Sequence, residues 1–120
     1  MSASDRFRVP LAAGQNVPNI LAGTIYEFTG SRPRRVSIWA VADPPTVAGN
    51  EPLTSCTSGT NVQVSPNTPV QQFTAAQGPN RSDHLLVSFV SAPGDRIVVP
   101  LRNPDAANTT VARFLVEYSE

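Results

Sequence analysis

Hydrophobic and polar residues alternate along most of this chain, in short runs that proline and glycine separate. The clearest runs are 35–42, 84–90 and 96–102, in each of which every second residue is apolar. A period of two places these side chains on one face of a β-strand. Seven glycines and twelve prolines interrupt the pattern, so few stretches remain for an ordinary helix. The pattern predicts an all-β protein.

About eight short strands separated by turn residues are typical of a β-sandwich or a barrel. The segments that favour strands are 6–11, 20–29, 35–42, 53–58, 61–65, 70–74, 84–90, 96–102 and 109–118. The last of these also has Val111, Leu115 and Tyr118 at helical spacing, but its strict alternation favours a strand. We therefore expect one β-sandwich domain over residues 1–120, jelly-roll-like, with residues 1–8 as a lead-in.

The same alternation predicts the core and several connections. Trp39 lies in a segment that is apolar on nearly both faces, which predicts a central strand with Trp39 in the core. Pro93 and Gly94 fit a type II turn, and Pro100 indicates a strand end or an edge. The residues expected to face inward are Phe28, Val36, Ile38, Leu85, Val87, Phe89, Ile97, Val99, Leu101, Phe114 and Val116.

Composition narrows the classes of function. Nine arginines balance nine carboxylates and there is no lysine, so the net charge is zero and direct contact with nucleic acid is not expected. The chain starts without the apolar run of a signal peptide and has no stretch long enough to span a membrane. The single cysteine, Cys56, cannot form an internal disulfide, and we expect it to be buried.

Residues that could carry out catalysis are scarce. His84 is the only histidine, whereas a metal site of the double-stranded barrel type needs two or three. Asp83 next to His84 could form half of a relay, but a lone histidine at the start of a strand is more often a surface or strand-end residue. We therefore expect no enzyme activity, no metal and no cofactor.

The chain resembles the small jelly-roll decoration proteins, or cement proteins, of tailed and other icosahedral phages. The similarity lies in Phe7-Arg8-Val9, in Tyr26-Glu27-Phe28 and in the Pro93-Gly94-Asp95-Arg96 turn that leads into residues 97–101. The resemblance implies a virion protein, assembled in the host cytoplasm, that forms a homo-oligomer, often a trimer, on junctions between major capsid proteins. Coat and fibre modules are also similar, but genome-packaging coat proteins resemble one another in a long basic N-terminal arm. Here only Arg6 and Arg8 precede the first strand, which favours an outer or bridging position.

The sequence also predicts where such contacts lie. Three arginines cluster in the 30–35 turn, where they could clamp carboxylates of a partner subunit or, less favoured, phosphates, although a solvated turn is the alternative. With the N-terminal segment and the proline-rich 43–52 loop, they give the candidate interface residues Arg6, Arg8, Arg32, Arg34, Arg35, Pro44 and Pro45. The alternative function is a carbohydrate- or receptor-binding module of a phage fibre or surface system, for which Trp39, Tyr26 and Tyr118 are the candidate aromatic residues.

Overall fold

Two antiparallel β-sheets make up the described part of the chain. The structure is a computed structural model that describes residues 3–44, 49–73 and 78–119. Over these ranges its strands are β1 (Ala3–Leu11), β2 (Asn16–Val17), β3 (Arg34–Ala42), β4 (Leu53–Ser58), β5 (Asn61–Pro69), β6 (Leu85–Ser91), β7 (Ile97–Val98), β8 (Leu101–Arg102) and β9 (Thr110–Ser119). The described residues contain no helix that is long and apolar enough to cross a membrane.

The order of the strands is that of a jelly roll. Sheet A has the order β1-β9-β3-β6, and sheet B has the order β2-β8-β4-β5, with β7 also paired to β4. Because β7 and β8 pair with the same neighbour, they act as one strand that is interrupted at Val99 and Pro100. Counted in this way, the sandwich has eight strands in two four-stranded sheets. Consecutive strands lie in opposite sheets, except β4 and β5, which form a hairpin in sheet B. The all-β sandwich with a jelly-roll order is thus confirmed.

The core lies between the two sheets. Its largest fully buried side chains are Tyr26, Tyr118, Phe114, Leu11, Leu21, Ile38, Ile97 and Leu101. Each large apolar side chain buried here contributes roughly 1.5–3 kcal/mol, which is offset by the entropy lost on ordering the chain. Cys56 is buried in the same cluster, as expected, and its burial raises the pKa of the thiol to about 12.

Most of the predicted core is confirmed. The inward residues that are buried are Val36, Ile38, Phe89, Ile97, Val99, Leu101, Phe114 and Val116, and Val87 is half-buried against them. Leu85 was expected inside but is 53% exposed. A β-bulge causes this, since Ile38 pairs with Val87 but the next residue, Trp39, pairs with Leu85. The extra residue in β6 turns Leu85 to the outside of sheet A.

The predicted strand at 20–29 is wrong. Backbone bonds from the N–H of Ala22, Thr24 and Glu27 to the carbonyl three residues earlier fold this segment into consecutive turns. Gly23, with a φ of +78°, continues the turns. The alternation of Tyr26 and Phe28 therefore has no structural meaning.

Of the two aromatic residues in this segment, Tyr26 and Phe28, only one lies in the core. Tyr26 is buried, whereas Phe28, expected in the core, is 55% exposed and forms only an isolated bridge with Arg96. In place of a strand, the side chain of Asn19 accepts the N–H of Val99 at 3.0 Å and donates to the carbonyl of Ile97 at 3.1 Å. This buried amide adds to the backbone bonds from the N–H of Ile20 to the carbonyl of Val99 and from the N–H of Ile97 to the carbonyl of Glu27.

Other local predictions have mixed outcomes. The type II turn is confirmed: the N–H of Asp95 donates to the carbonyl of Ala92, and Gly94 has a φ of +78°. The 96–102 segment is broken at Pro100, as a proline in a strand requires. The 70–74 segment forms no strand over its described part and makes one bridge, from Gln72 to Ala42, while residue 74 lies outside the described residues.

Candidate partner-binding surface

The candidate surface is the outer face of sheet A, which points away from the core. Cross-strand partners define it, because residues that pair point to the same side of a sheet. One row across the sheet runs from Arg6 through Leu115 and Trp39 to Leu85. The other members of this outer face are Arg8, Arg35, Ser37, Val41, Ser88, Val90, Arg113 and Glu117. Leu115, Trp39 and Val41 on this face are buried, so its other members form the surface.

Three of the predicted interface residues share this face. Arg6 and Arg8 lie on β1, which pairs with β9 along its whole length, so they are held by a strand and not by a free arm. Arg35 lies on β3, in the row that contains Val90. Val41 lies in the same row as Arg8. It is six residues from Arg35 along β3, which corresponds to about 20 Å at ~3.3 Å per residue. The structure places Arg8 and Arg35 at opposite ends of one face, with Arg6 in a row between them.

The remaining predicted interface residues are dispersed. Arg34 points the other way from Arg35: it is half-buried, and its guanidinium carbon lies 5.8 Å from the ring centroid of Tyr118. Arg32 is exposed in the turn before β3, and Pro44 is exposed after its end. Pro45 lies outside the described residues. The three arginines of the turn therefore do not form one cluster.

Trp39 lies at the centre of the outer face but is covered by the 78–84 loop. Its indole Nε1 donates to the carbonyl of Arg81 at 3.0 Å, and the guanidinium carbon of Arg81 lies 5.0 Å from the ring centroid. Arg81 also forms a salt bridge of 2.5 Å with Glu117 on β9. As a result Trp39 is only 8% exposed. Its predicted burial is confirmed, although it packs outside the main core cluster.

A shallow recess borders the covered tryptophan. It has a volume of about 690 Å³ and is lined by Arg6, Phe73, Gly78, Pro79, Asn80, Arg81 and Ser82. Arg6 donates to the carbonyl of Pro79 at 3.0 Å, which ties this loop to β1. The recess presents two arginines beside one half-buried aromatic ring.

His84 lies beneath this loop and not on the surface. It is buried, its ring packs at a tilt against Phe73 with 4.7 Å between the ring centroids, and its Nδ1 accepts the N–H of Asn80 at 3.0 Å. An accepting Nδ1 corresponds to the neutral tautomer that is protonated on Nε2. The histidine therefore orders the loop at the start of β6, in agreement with the strand-end interpretation.

A second ion pair lies at the far end of this face. Asp43, the first residue after β3, lies 2.5 Å from the guanidinium of Arg113 on β9. This pairing relieves the repulsion between Arg113 and Arg8, which are directly opposite each other. Among the residues that the structure describes, no group of three or more His, Cys, Asp or Glu side chains is placed to hold a metal ion.

The two tyrosines are not available on the surface. Tyr118 donates its hydroxyl to the carbonyl of Tyr26, whose own hydroxyl donates to Asp5 at 2.9 Å. Burial, followed by the bond to Asp5, raises the pKa of Tyr26 to about 12, and burial also raises the pKa of Tyr118. Both hydroxyls act as neutral donors that close one end of the sandwich.

Sequence reasoning missed Arg81, Arg113 and the exposed Leu85 as members of this surface. The alternation in the last strand had placed Arg113 and Glu117 on one side, but only the strand pairing shows that this side meets Arg6 and Arg8. Comparison of the chain with protein-family models, with curated proteins and with solved structures finds no match.

Proposed function

We propose that this protein is a structural subunit of a virion, a capsid decoration or minor capsid protein, and that it docks on the major capsid protein or another virion subunit through the outer face of sheet A. The observation that carries the proposal is the composition of that face. Arginines lie along its β1 edge, and the exposed Leu85 and Val90 lie along its β6 edge. Protein interfaces are enriched in arginine and in large apolar residues of this kind.

The charge on this face indicates the chemistry of the partner. The side chains placed there carry five positive charges, from Arg6, Arg8, Arg35, Arg81 and Arg113, against two negative charges, from Asp43 and Glu117. A chain with zero net charge thus presents a locally basic face. Guanidinium groups pair with carboxylates through two parallel hydrogen bonds, so an acidic protein surface is the expected partner.

The proposal assigns no catalytic role to the chain. His84, the only histidine, is buried and engages the Asn80 N–H and the Phe73 ring. Because its Nδ1 accepts this bond, the ring proton is on Nε2, the nitrogen that would have to accept a proton from a nucleophilic serine.

The carbohydrate-binding alternative has less support. Sugar rings usually stack on exposed aromatic faces, but the three aromatic residues that the sequence offered, Trp39, Tyr26 and Tyr118, are all buried. What favours this alternative is the recess with Phe73 and Arg81, where the ring is only half-buried. A sugar bound there would be lost in Phe73→Ala, whereas docking on an acidic protein surface would depend on the arginines.

Charge reversal on the outer face tests the proposed function. Arg8→Glu and Arg35→Glu, both at exposed positions, should each weaken co-sedimentation with assembled shells by about fivefold, in line with the loss of one exposed ion pair. The weakening should be largest at low salt, because salt screens exposed charges.

The matched control is Arg102→Glu, which makes the same change of charge at an exposed residue of sheet B. Binding of this variant should equal that of the wild type. The proposal is wrong if no variant differs from the control, or if the wild-type protein never co-sediments with any shell.

A further inference from the structure

The shallow recess that borders the covered tryptophan has walls held in place by contacts within the protein. The ring of Phe73 packs against His84 with 4.7 Å between the ring centroids. A Cβ at Gly78 would lie 3.1 Å from the same ring, so the loop backbone itself closes on Phe73. The side chain of Asn80 accepts the N–H of Asp83 at 2.8 Å, which orders the loop. A site whose parts are already in place loses little entropy when a ligand binds.

Two arginines at this recess retain most of their hydrogen-bond donors. Among the described residues, the side chain of Arg6 makes one hydrogen bond, to the carbonyl of Pro79, and that of Arg81 makes one, to Glu117. A guanidinium has five N–H donors, so most of them remain for a ligand. Both arginines are exposed. Glu117 offsets one of the two positive charges, and the other is available to an anion.

The recess therefore combines a positive charge with a half-buried aromatic ring. Its volume of about 690 Å³ is within the range of sites for small ligands. Inorganic phosphate would gain nothing from Phe73, and a neutral sugar would not offset the charge. A carboxylate joined to an apolar group uses both features, because guanidinium groups pair with carboxylates and the apolar group buries its surface on the ring.

We propose that this recess binds a carboxylate next to an apolar side chain on the partner protein, with the carboxylate at Arg6 and Arg81 and the apolar side chain on Phe73. A chain end and an Asp or Glu side chain both supply such a carboxylate. The inference deepens the proposed function and rests on it for the identity of the partner. The charge of the outer face indicates an acidic partner surface, whereas the recess selects one segment of that surface.

Matched small probes test the site on the purified protein. N-acetylphenylalanine carries a carboxylate and a ring, its primary amide carries the ring alone, and acetate carries the carboxylate alone. The indole N–H of Trp39 is the reporter in heteronuclear NMR, because Trp39 is the only tryptophan and this N–H donates to the carbonyl of Arg81 at 3.0 Å. N-acetylphenylalanine should shift this resonance saturably. The amide and acetate should each bind about tenfold more weakly, since each lacks one of the two interactions.

A second acid identifies the source of the carboxylate. N-acetylglutamyl-phenylalaninamide presents a side-chain carboxylate beside the same ring, whereas N-acetylphenylalanine presents a chain end. Tighter binding of the first assigns the site to an acidic side chain, and tighter binding of the second assigns it to a C-terminus. Either result supports the site, provided that the neutral amide binds more weakly.

Substitution of one arginine tests the role of the guanidinium groups. Arg6→Gln should weaken binding of N-acetylphenylalanine by about tenfold. The matched control is Arg102→Gln, which makes the same change at an exposed arginine of sheet B and should bind like the wild type. Arg6 also bonds to Pro79 in the loop. If the spectrum of Arg6→Gln shows that the loop has changed, the comparison of acid with amide on the wild type decides the question.

The outcomes separate this inference from the proposed function. Equal binding of the acid and its amide overturns the site, and so does tighter binding of inorganic phosphate or methyl glucoside than of the acid. A wild type that binds shells but not the acid overturns the site and leaves the proposed function in place. A wild type that binds the acid but never binds a shell does the reverse.

Discussion

Trp39 is the side chain whose surroundings bear most on the choice between functions. An exposed indole would have suited a sugar ring, but Arg81 covers this one and holds its Nε1 with a backbone carbonyl. The guanidinium also reaches Glu117, so one loop residue connects an aromatic ring on β3 with a carboxylate on β9. Trp39 therefore holds the 78–84 loop on sheet A and is not a ligand platform.

Removal of the arginine should expose the indole. We expect Arg81→Ala to shift the fluorescence of Trp39, the only tryptophan, to longer wavelength and to increase its quenching by acrylamide. The free energy of unfolding should fall by about 0.5–1 kcal/mol, the size of an exposed cation–π contact. Fluorescence titrations with acrylamide and with urea measure both effects.

Arg96→Ala provides the control, because Arg96 forms a comparable exposed salt bridge with Glu27 and has no contact with Trp39. The fluorescence of Arg96→Ala should match that of the wild type. Acrylamide quenching of the wild type close to that of free indole would show that the loop does not cover Trp39.

The sequence predicts the environment of Trp39 only in part. The apolar neighbours of Trp39 indicated burial correctly, since they follow from the local pattern of β3. Arg81 is 42 residues further along the chain, and no local pattern connects it with Trp39. The same limit applies to Arg113. Alternation predicts that it faces outward, but only the register of β1 with β9 shows that it lies opposite Arg8.

Among the secondary-structure elements, strands with strict alternation were predicted well and the irregular segments were not. β3, β6 and β9 lie within one or two residues of their expected bounds. The prediction of a strand at 20–29 was wrong because the N–H groups of Ala22, Thr24 and Glu27 bond to carbonyls three residues earlier and fold the segment into turns. The prediction that Leu85 faces inward was wrong because one extra residue in β6 turns the preceding side chain to the other face of the sheet. Nothing in the local sequence marks that extra residue.

The β4–β5 hairpin depends on Gly59. It has a φ of +58°, and a Cβ there would lie 2.7 Å from Oδ1 of Asp95. The same carboxylate accepts a bond of 2.9 Å from Ser58, which connects through Ser91 to Thr29. We expect Gly59→Ala to lower the free energy of unfolding by about 2 kcal/mol or more, from backbone strain together with displacement of Asp95.

Gly94→Ala separates these two causes. Gly94 has a similar φ of +78°, but no atom lies within 4 Å of the position of a Cβ. Urea unfolding should therefore show a smaller loss for Gly94→Ala than for Gly59→Ala. Equal losses would mean that the contact with Asp95 has no effect.

The loop between β8 and β9 is organised by a buried carboxylate. Asp105 accepts the N–H groups of Ala107 and Asn108 and the side-chain amide of Asn108, at 2.8, 3.1 and 2.9 Å. The bond from the Asn108 side chain, followed by that from the Ala107 N–H, lowers the pKa of Asp105. Since the folded pKa is the lower one, the charged form stabilises the fold above the ordinary value of about 4, and this stabilisation is lost as the pH falls through the folded pKa.

Asp105→Asn should accordingly be less stable than the wild type at pH 7, and the difference should shrink as the pH falls below about 4. Urea midpoints measured across this range give the comparison. Asp83→Asn, at an exposed aspartate, makes the same change of charge and is the matched control. A difference for Asp105→Asn that stays constant with pH would exclude the carboxylate as its source.

For the molecule as a whole, the sequence predicts the class of fold but not the contacts that make it. Alternation identifies the strands, and their number and spacing predict a sandwich or a barrel. The pairing of β1 with β9, from Ala3 with Tyr118 to Leu11 with Thr110, joins the two ends of the chain. This pairing aligns Arg6 and Arg8 with β3 and so creates the basic face. The candidate surface thus follows from the order in which the strands pair, which alternation alone does not predict.

An image of assembled shells mixed with the protein, at a resolution that distinguishes the two sheets, tests the proposal that the outer face of sheet A is the contact surface. The expected result is density for the sandwich on the outside of the shell with the outer face of sheet A against it, so that Arg8 and Arg35 meet acidic residues. Density with sheet B against the shell, or particles that carry no such subunit, would show that the surface or the function is wrong.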